Sequence, residues 1–146
     1  MFRVKWDDNL ATGVDEIDEQ HKEIFARFNA LLEACDKGRS RELLADILEF
    51  MSTYVLQHFA DEERLQQSVD YPDFPAHKSV HEELSGRFVQ LKLKFAAHGA
   101  TVQLVIQTSK LLSELLFEHI HLHDKALAEF MLQRNRLVLP PPHHED

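Results

Sequence analysis

His58 and Glu62 stand four residues apart in the run Gln57-His58-Phe59-Ala60-Asp61-Glu62. On a helix this spacing puts an imidazole and a carboxylate on one face, about 6 Å apart along the axis. That face is the apolar one. Leu44, Ile47, Met51 and Tyr54 precede His58 at alternating intervals of three and four, and Leu65 and Val69 continue the stripe beyond Glu62. Burying an ionised carboxylate is costly unless a cation or hydrogen-bond donors compensate it. No Lys or Arg falls on the stripe near Glu62. A metal ion is the first candidate for the missing positive charge.

The elements that must position this pair are helices. Four Gly and five Pro punctuate 146 residues of 44% apolar content, and the stretches between them are long and helical in period. Residues 1–14 read as an extended arm with Trp6 as its large anchor and a turn at Gly13. Asp15 or Asp18 can cap the first helix, whose stripe is Ile17, His21, Ile24, Phe28, Leu31 or Leu32, and Cys35, with Gly38 as its stop. Ser40 is the expected cap of the second helix, which carries His58 and Glu62 and ends near Asp70-Tyr71-Pro72. The third starts at Asp73-Phe74-Pro75, carries His77, His81, Leu84, Phe88, Leu91 and Phe95, and stops at Gly99. The fourth starts near Thr101, carries Val105, Thr108, Leu112, Leu115, His119 and Leu122, and runs to about Arg134. Short loops between long helices predict an all-α domain, an up-down-up-down antiparallel four-helix bundle with an extended N-terminal arm. The expected layout is one domain over residues 1–146, with the arm at 1–14, the bundle at 15–134 and a tail at 135–146 that does not pack.

Short loops make the levels of the antiparallel helices calculable. Reflection through the first turn brings His21 beside His58. Reflection through the second brings His58 and Glu62 beside His81, and through the third brings His77 and His81 beside His119. The stripe histidines of all four helices therefore fall on one level, near one end of the bundle. A lone histidine on an apolar stripe is more often bonded to a carbonyl than to a metal, and His21 alone carries no more than that. Five histidines and a glutamate at one depth would leave many polar groups unpaired without a metal. His121 points away from His119 on a regular helix, while His123 shares nearly its face and competes with it. His98 falls in a loop, and His143 and His144 in the tail.

Composition removes other classes. A net charge of -9 without a basic patch argues against nucleic acid. No stretch approaches the ~18 apolar residues of a membrane span, and the N-terminus shows no apolar signal region. A lone Cys35 excludes an internal disulfide and suits a reducing compartment, so the expected location is cytoplasmic.

The pattern His21, His58-x-x-x-Glu62, His77-x-x-x-His81, His119-x-x-x-x-Asp124 resembles the hemerythrin family in its single-domain bacterial form. Trp6, Gly13-Val14, Ile17-Asp18-Glu19-Gln20-His21, Tyr54, Glu62-Glu63, Tyr71-Pro72, His119-Ile120 and Asp124-Lys125 agree with it, so the likeness covers residues 4 to about 131. The resemblance implies two non-haem irons bridged by an oxo or hydroxo group. His77, His81 and His119 would bind one iron and His21 and His58 the other, with Glu62 and Asp124 bridging. It also favours His119 over His123, because only His119 has an Asp five residues later. On a regular helix that spacing is about 140°, so Asp124 must reach in from a shoulder or follow a local π-type distortion.

Two roughly octahedral irons offer about twelve positions, and these donors with a single-atom bridge leave one open, on the two-histidine iron, for dioxygen. The implied function is reversible dioxygen binding as carrier, store or sensor, not catalysis, with dioxygen as the only identified partner. Ile24, Phe59, Leu115, Leu116 and Ile120 would form the apolar wall around the oxygen; some family members carry an aromatic residue where this chain has Leu115. The rival is a di-iron redox enzyme of the same superfamily: an oxidase or peroxidase, or a nitric oxide or iron-handling protein. A ferritin-like enzyme needs two Glu-x-x-His motifs, and only Glu118-x-x-His121 is present. A metal-free interaction bundle is the remaining alternative.

Overall fold

The computed structural model describes residues 5–138. Four helical rods form an antiparallel bundle, with no strand among the described residues. Helix α1 is Asp15–Asp36. Helix α2 spans residues 40–68, as α-helical Ser40–Phe50, a π-helical turn Met51–Val55 and α-helical Leu56–Ser68. Helix α3 is Phe74–His98. Helix α4 spans residues 102–138, as α-helical Val102–Glu114, a π-helical stretch Leu115–Asp124 and α-helical Lys125–Val138. The connections are short, as the stop signals required. Gly38 (φ 71°) and Gly99 (φ 74°) take up the left-handed backbone just past two helix ends, where a Cβ is disfavoured. Asp70 does the same at φ 53°, a conformation its short polar side chain tolerates.

Several expected caps are different. Neither Asp15 nor Asp18 caps α1; Val14 precedes it without a side-chain cap. Ser40 does not cap α2 but is its first helical residue, after Arg39. Thr101 does cap α4, accepting from the Leu104 amide at 3.1 Å. His98 ends α3 and does not sit in a loop.

The arm is not wholly extended. Asp8–Leu10 form a 3₁₀ turn whose cap is Asp7, and Leu10, 1% exposed, is a deeper anchor than half-buried Trp6. Asp18 holds the arm to the bundle. Its Oδ1 accepts from the Thr12 amide (2.8 Å) and the Thr12 hydroxyl (2.9 Å), and its Oδ2 from the Gly13 amide (3.2 Å). Asp18→Ala should cost about 1–3 kcal/mol, because two buried donors lose a charged acceptor. Urea unfolding measures this; an unchanged midpoint would mean that the latch contributes nothing.

The core has two parts. A large cluster built on Ile24, Phe28, Leu31, Leu44, Ile47, Val55, Phe88, Leu112, Leu115 and Leu116 fills most of the bundle. Fully burying such a side chain stabilises by about 1.5–3 kcal/mol relative to exposure. A small cluster of Tyr71, Leu127 and Met131, with Val14, Leu65, Val69 and Phe130 against it, closes one end. The chain positions of the buried histidines place a polar layer between the two clusters. Cys35, expected on the α1 stripe, is exposed. Eighteen residues after Ile17 make five whole turns, so Cys35 shares the face of Ile17 but lies in the last turn of α1, one residue before its end.

Candidate metal centre

Seven buried polar side chains converge in this layer: His21 from α1, His58 and Glu62 from α2, His77 and His81 from α3, and His119 and Asp124 from α4. None is more than 2% exposed. They form two overlapping groups, each with its donor atoms within 4.8 Å of one another. Glu62, His77, His81, His119 and Asp124 make one group; His21, His58, Glu62 and Asp124 make the other.

The backbone of α4 explains how His119 and Asp124 can share a face. In a π-helix the i→i+5 hydrogen bond lays residues five apart over each other, where a regular helix would separate them by about 140°. The same winding turns Leu122 away. Expected on the stripe, it is 65% exposed. It also leaves His123 exposed, with its ring centroid 5.6 Å from that of His119 and outside both groups. His121 is half-buried and stacks on Phe117 at 6.0 Å. His143 and His144 lie outside the described residues. The π turn in α2 has its own support, since Ser52 Oγ (3.2 Å) and Thr53 Oγ1 (2.8 Å) both donate to the Glu49 carbonyl.

Two carboxylates divide their oxygens between the two groups. Glu62 Oε2 lies 3.2 Å from His21 Nε2 and 3.8 Å from His58 Nε2. Its Oε1 lies 3.2 Å from both His77 Nε2 and His81 Nε2, and 4.0 Å from His119 Nε2. Asp124 Oδ2 is 3.0 Å from His21 Nε2, while its Oδ1 is 2.8 Å from His77 Nε2 and 3.2 Å from His119 Nε2. All five imidazoles thus turn Nε2 inward. His119 Nε2 is only 2.9 Å from His81 Nε2 and 3.2 Å from His77 Nε2. Buried His58 Nε2, Glu62 Oε1 and both Asp124 oxygens make no hydrogen bond. Inward nitrogens and carboxylate oxygens crowded this closely fit a cation, and imidazole with carboxylate is a donor set that iron accepts.

Charge is distributed unevenly. Burial disfavours a charged His21, but Asp124 and then Glu62 outweigh it and raise the group to about 10. His77 is likewise raised to about 10 by Asp124 and Glu62 against its burial. Burial dominates at His58, lowered to about 3, and at His119, lowered to about 4. Against the effect of burial, the neighbouring histidines hold Glu62 and Asp124 well below the usual carboxylate range.

A second ring of residues, unread in the sequence, holds the outer imidazole nitrogens. His81 Nδ1 meets Glu63 Oε2 at 2.8 Å, and His58 Nδ1 meets Gln20 Oε1 at 2.7 Å. Gln66 Nε2 lies 2.9 Å from His77 Nδ1, while Gln66 Oε1 has no hydrogen-bond partner. Trp6 lies over the two-histidine side, with ring centroids 6.3 Å from His21 and 5.7 Å from Phe25. The only signal for this ring was adjacency: Gln20 precedes His21, Asp61 and Glu63 flank Glu62, and Gln66 follows Glu62 by four.

The five expected wall residues are all buried: Ile24, Leu115, Leu116 and Ile120 at 0% exposure and Phe59 at 3%. Phe59 lies face-on to His81, with centroids 4.0 Å apart and planes at 10°.

The family model described as "Hemerythrin HHE cation binding domain" matches residues 12–131. A protein named bacteriohemerythrin from Stenotrophomonas maltophilia is 35% identical over 88% of this chain and 82% of its own length. Another from Pseudomonas paraeruginosa is 36% identical over 85% of this chain and 78% of its own length. One from Methylococcus capsulatus is 34% identical over 80% and 86% respectively.

Proposed function

Because the chain belongs to the hemerythrin family, we propose that it reversibly binds dioxygen at a pair of non-haem irons. The observation that carries the reading is the division of the Glu62 and Asp124 oxygens between a group of two histidines and a group of three. His77, His81 and His119 would hold one iron and His21 and His58 the other, with Glu62 and Asp124 bridging. When bound, an iron pair would supply dioxygen with two electrons and a place to bind.

The chain's own contribution is to orient, to exclude water and to manage protons. Glu63 and Gln20 take the outer nitrogens of His81 and His58 and so direct the inner ones to the centre. Ile24, Leu115, Leu116 and Ile120 offer no polar atom through which water could approach, and Phe59 closes the His81 side. This dryness favours release of oxygen unchanged over its reduction.

His21 and His77 keep their protons until the pH rises through about 10, so in the metal-free protein at pH 7 both are charged. A metal must displace those protons from Nε2. Uptake should therefore release about two protons per chain at pH 7, and apparent affinity should rise with pH between 6 and 9. Calorimetry in two buffers of different ionisation enthalpy measures the release. No release would mean that both imidazoles are neutral before metal arrives.

The decisive test is an anaerobic titration of the reduced, iron-loaded protein with dioxygen, followed by absorbance. About one dioxygen per chain should bind, since one of about twelve positions stays open, and removal of oxygen should restore the starting spectrum. Consumption of the oxygen, with peroxide or water as product, would assign the site to a redox enzyme instead. His119→Ala should lose metal while His123→Ala keeps it; the opposite pattern would overturn the ligand set.

A further inference from the structure

The five inward imidazoles differ most in what holds their outer nitrogens. Buried His21 Nδ1 and His119 Nδ1 make no hydrogen bond. His81 Nδ1 meets a carboxylate directly, at Glu63. His77 Nδ1 meets the Gln66 amide, whose other end has no partner. Only at His58 among these does the chain of contacts continue. Gln20 Oε1 meets His58 Nδ1 at 2.7 Å, and Gln20 Nε2 donates to Asp61 Oδ2 at 2.7 Å. Asp61 Oδ1 in turn accepts from Gln57 Nε2 at 2.9 Å and from the Arg64 guanidinium. Asp61 is 7% exposed, while the Arg64 side chain is 65% exposed.

Each link in this chain leaves the next without a choice. An ionised carboxylate only accepts, so the end of Gln20 that faces Asp61 must be its N–H₂. The opposite end, facing His58, is then the carbonyl oxygen, which also only accepts. His58 Nδ1 must therefore carry the hydrogen, and a neutral imidazole with hydrogen on Nδ1 has its lone pair on Nε2. That lone pair points at the centre. The Gln66–His77 pair has no such anchor, so nothing beyond Gln66 selects its amide orientation.

We propose that Asp61 is a positioning residue for His58: by fixing which end of Gln20 faces the imidazole, it sets the tautomer that makes His58 a ligand. Asp61 makes no contact with the inner nitrogens and acts only through Gln20. Arg64 and Gln57 keep Asp61 ionised in its half-closed niche and are part of the same device. The consequence for metal rests on the reading of the cluster as a metal centre, whereas the consequence for the tautomer does not. The two can fail separately.

The test uses the full chain and three variants: Asp61→Asn, Gln20→Glu, and the two combined. Asp61→Asn is close in shape but can turn either end toward Gln20, which frees Gln20 to present N–H₂ to His58. In the metal-free protein, long-range proton–nitrogen NMR reads the His58 tautomer directly. Wild type should show hydrogen on Nδ1, and Asp61→Asn a shift toward hydrogen on Nε2. The combined variant should return it to Nδ1, because a carboxylate at position 20 accepts from His58 whichever end of the introduced amide it meets.

Zinc, which is redox-inert, then serves as the metal probe. Wild type should bind about two zinc ions, and Asp61→Asn should weaken one of the two by about 10–100-fold while sparing the other. The combined variant should restore the loss. A His58 tautomer that is the same in wild type and Asp61→Asn would overturn the proposal. So would equal weakening of both zinc sites without rescue, which is the signature of a packing defect. A tautomer shift in a chain that takes up no zinc would uphold the positioning role and overturn the metal reading.

Discussion

Glu62→Gln is expected to lower metal affinity in both halves of the centre together, by at least about 100-fold. Loss of an outer hydrogen-bond partner alone costs about 10–100-fold, and Glu62 is no outer partner. Its Oε2 faces His21 at 3.2 Å, and its Oε1 faces His77 and His81 at the same distance. Glutamine keeps the shape but offers one oxygen and one N–H₂, so one half gains a donor where it needs an acceptor. The buried negative charge that balances the metals is lost as well. Metal analysis after dialysis reads the occupancy, and thermal unfolding reads the coupling to folding. In wild type, metal at 100 times its dissociation constant should stabilise the fold by about 2.7 kcal/mol per site. The variant should show no such gain. Undiminished metal affinity in the three-histidine half would mean that Glu62 does not bridge. Equal thermal midpoints of metal-free and loaded wild type would mean that the centre is not part of the fold.

The second large effect concerns the dry wall. Leu116 is fully buried on the π-helical stretch between Glu114 and Asp124, three residues before His119. If Leu116 is only a core residue, Leu116→Asn should cost about 2–5 kcal/mol of stability and do little else. If it guards bound oxygen, the amide brings a hydrogen-bonding group to the centre and gives water a foothold. Conversion of the oxygenated form to the oxidised one should then run on the order of tenfold faster, equivalent to about 1.4 kcal/mol off its barrier. Ile24→Asn, one turn after His21, is the companion variant. The decay is followed in air at matched folded fraction, and Leu44→Asn, on the helix far from the ligands, controls for a general core defect. Equal decay in all three variants and wild type would reduce the wall to packing.

Both effects depend on residues whose burial could be read from the chain, but not all of the site was legible in this way. The stripes of Leu44, Ile47, His58 and Glu62, and of His77, His81, Leu84 and Phe88, follow a plain helical period and needed no tertiary information. Short loops then fixed the relative levels. Asp124 was different. Its place beside His119 depends on i→i+5 winding, which no propensity scale marks, and it entered through likeness to known sequences. The same winding carried Leu122 out to solvent. Gln20, Asp61, Glu63 and Gln66 were missed because polar residues beside a stripe read as a solvated face. Whether such a residue reaches inward depends on side-chain length and on the neighbouring helix. Asp18 was mistaken for a cap because an acidic residue in a first turn suits the helix dipole anyway. Its bonds to Thr12 and Gly13 depend on where the arm returns.

The position of Trp6 has an optical consequence. It is the only tryptophan in the chain, and its ring lies 6.3 Å from that of His21. Red-edge excited emission from this protein therefore has a single source, placed at the two-histidine half, with the three-histidine half lying beyond the two shared carboxylates. A paramagnetic ion entering the nearer half should quench that light more strongly than one entering the farther half. Filling of the two halves becomes visible as separate steps in one fluorescence trace, with no label added. Because Asp18 ties down the arm that carries the indole, the same trace also reports when that tether lets go.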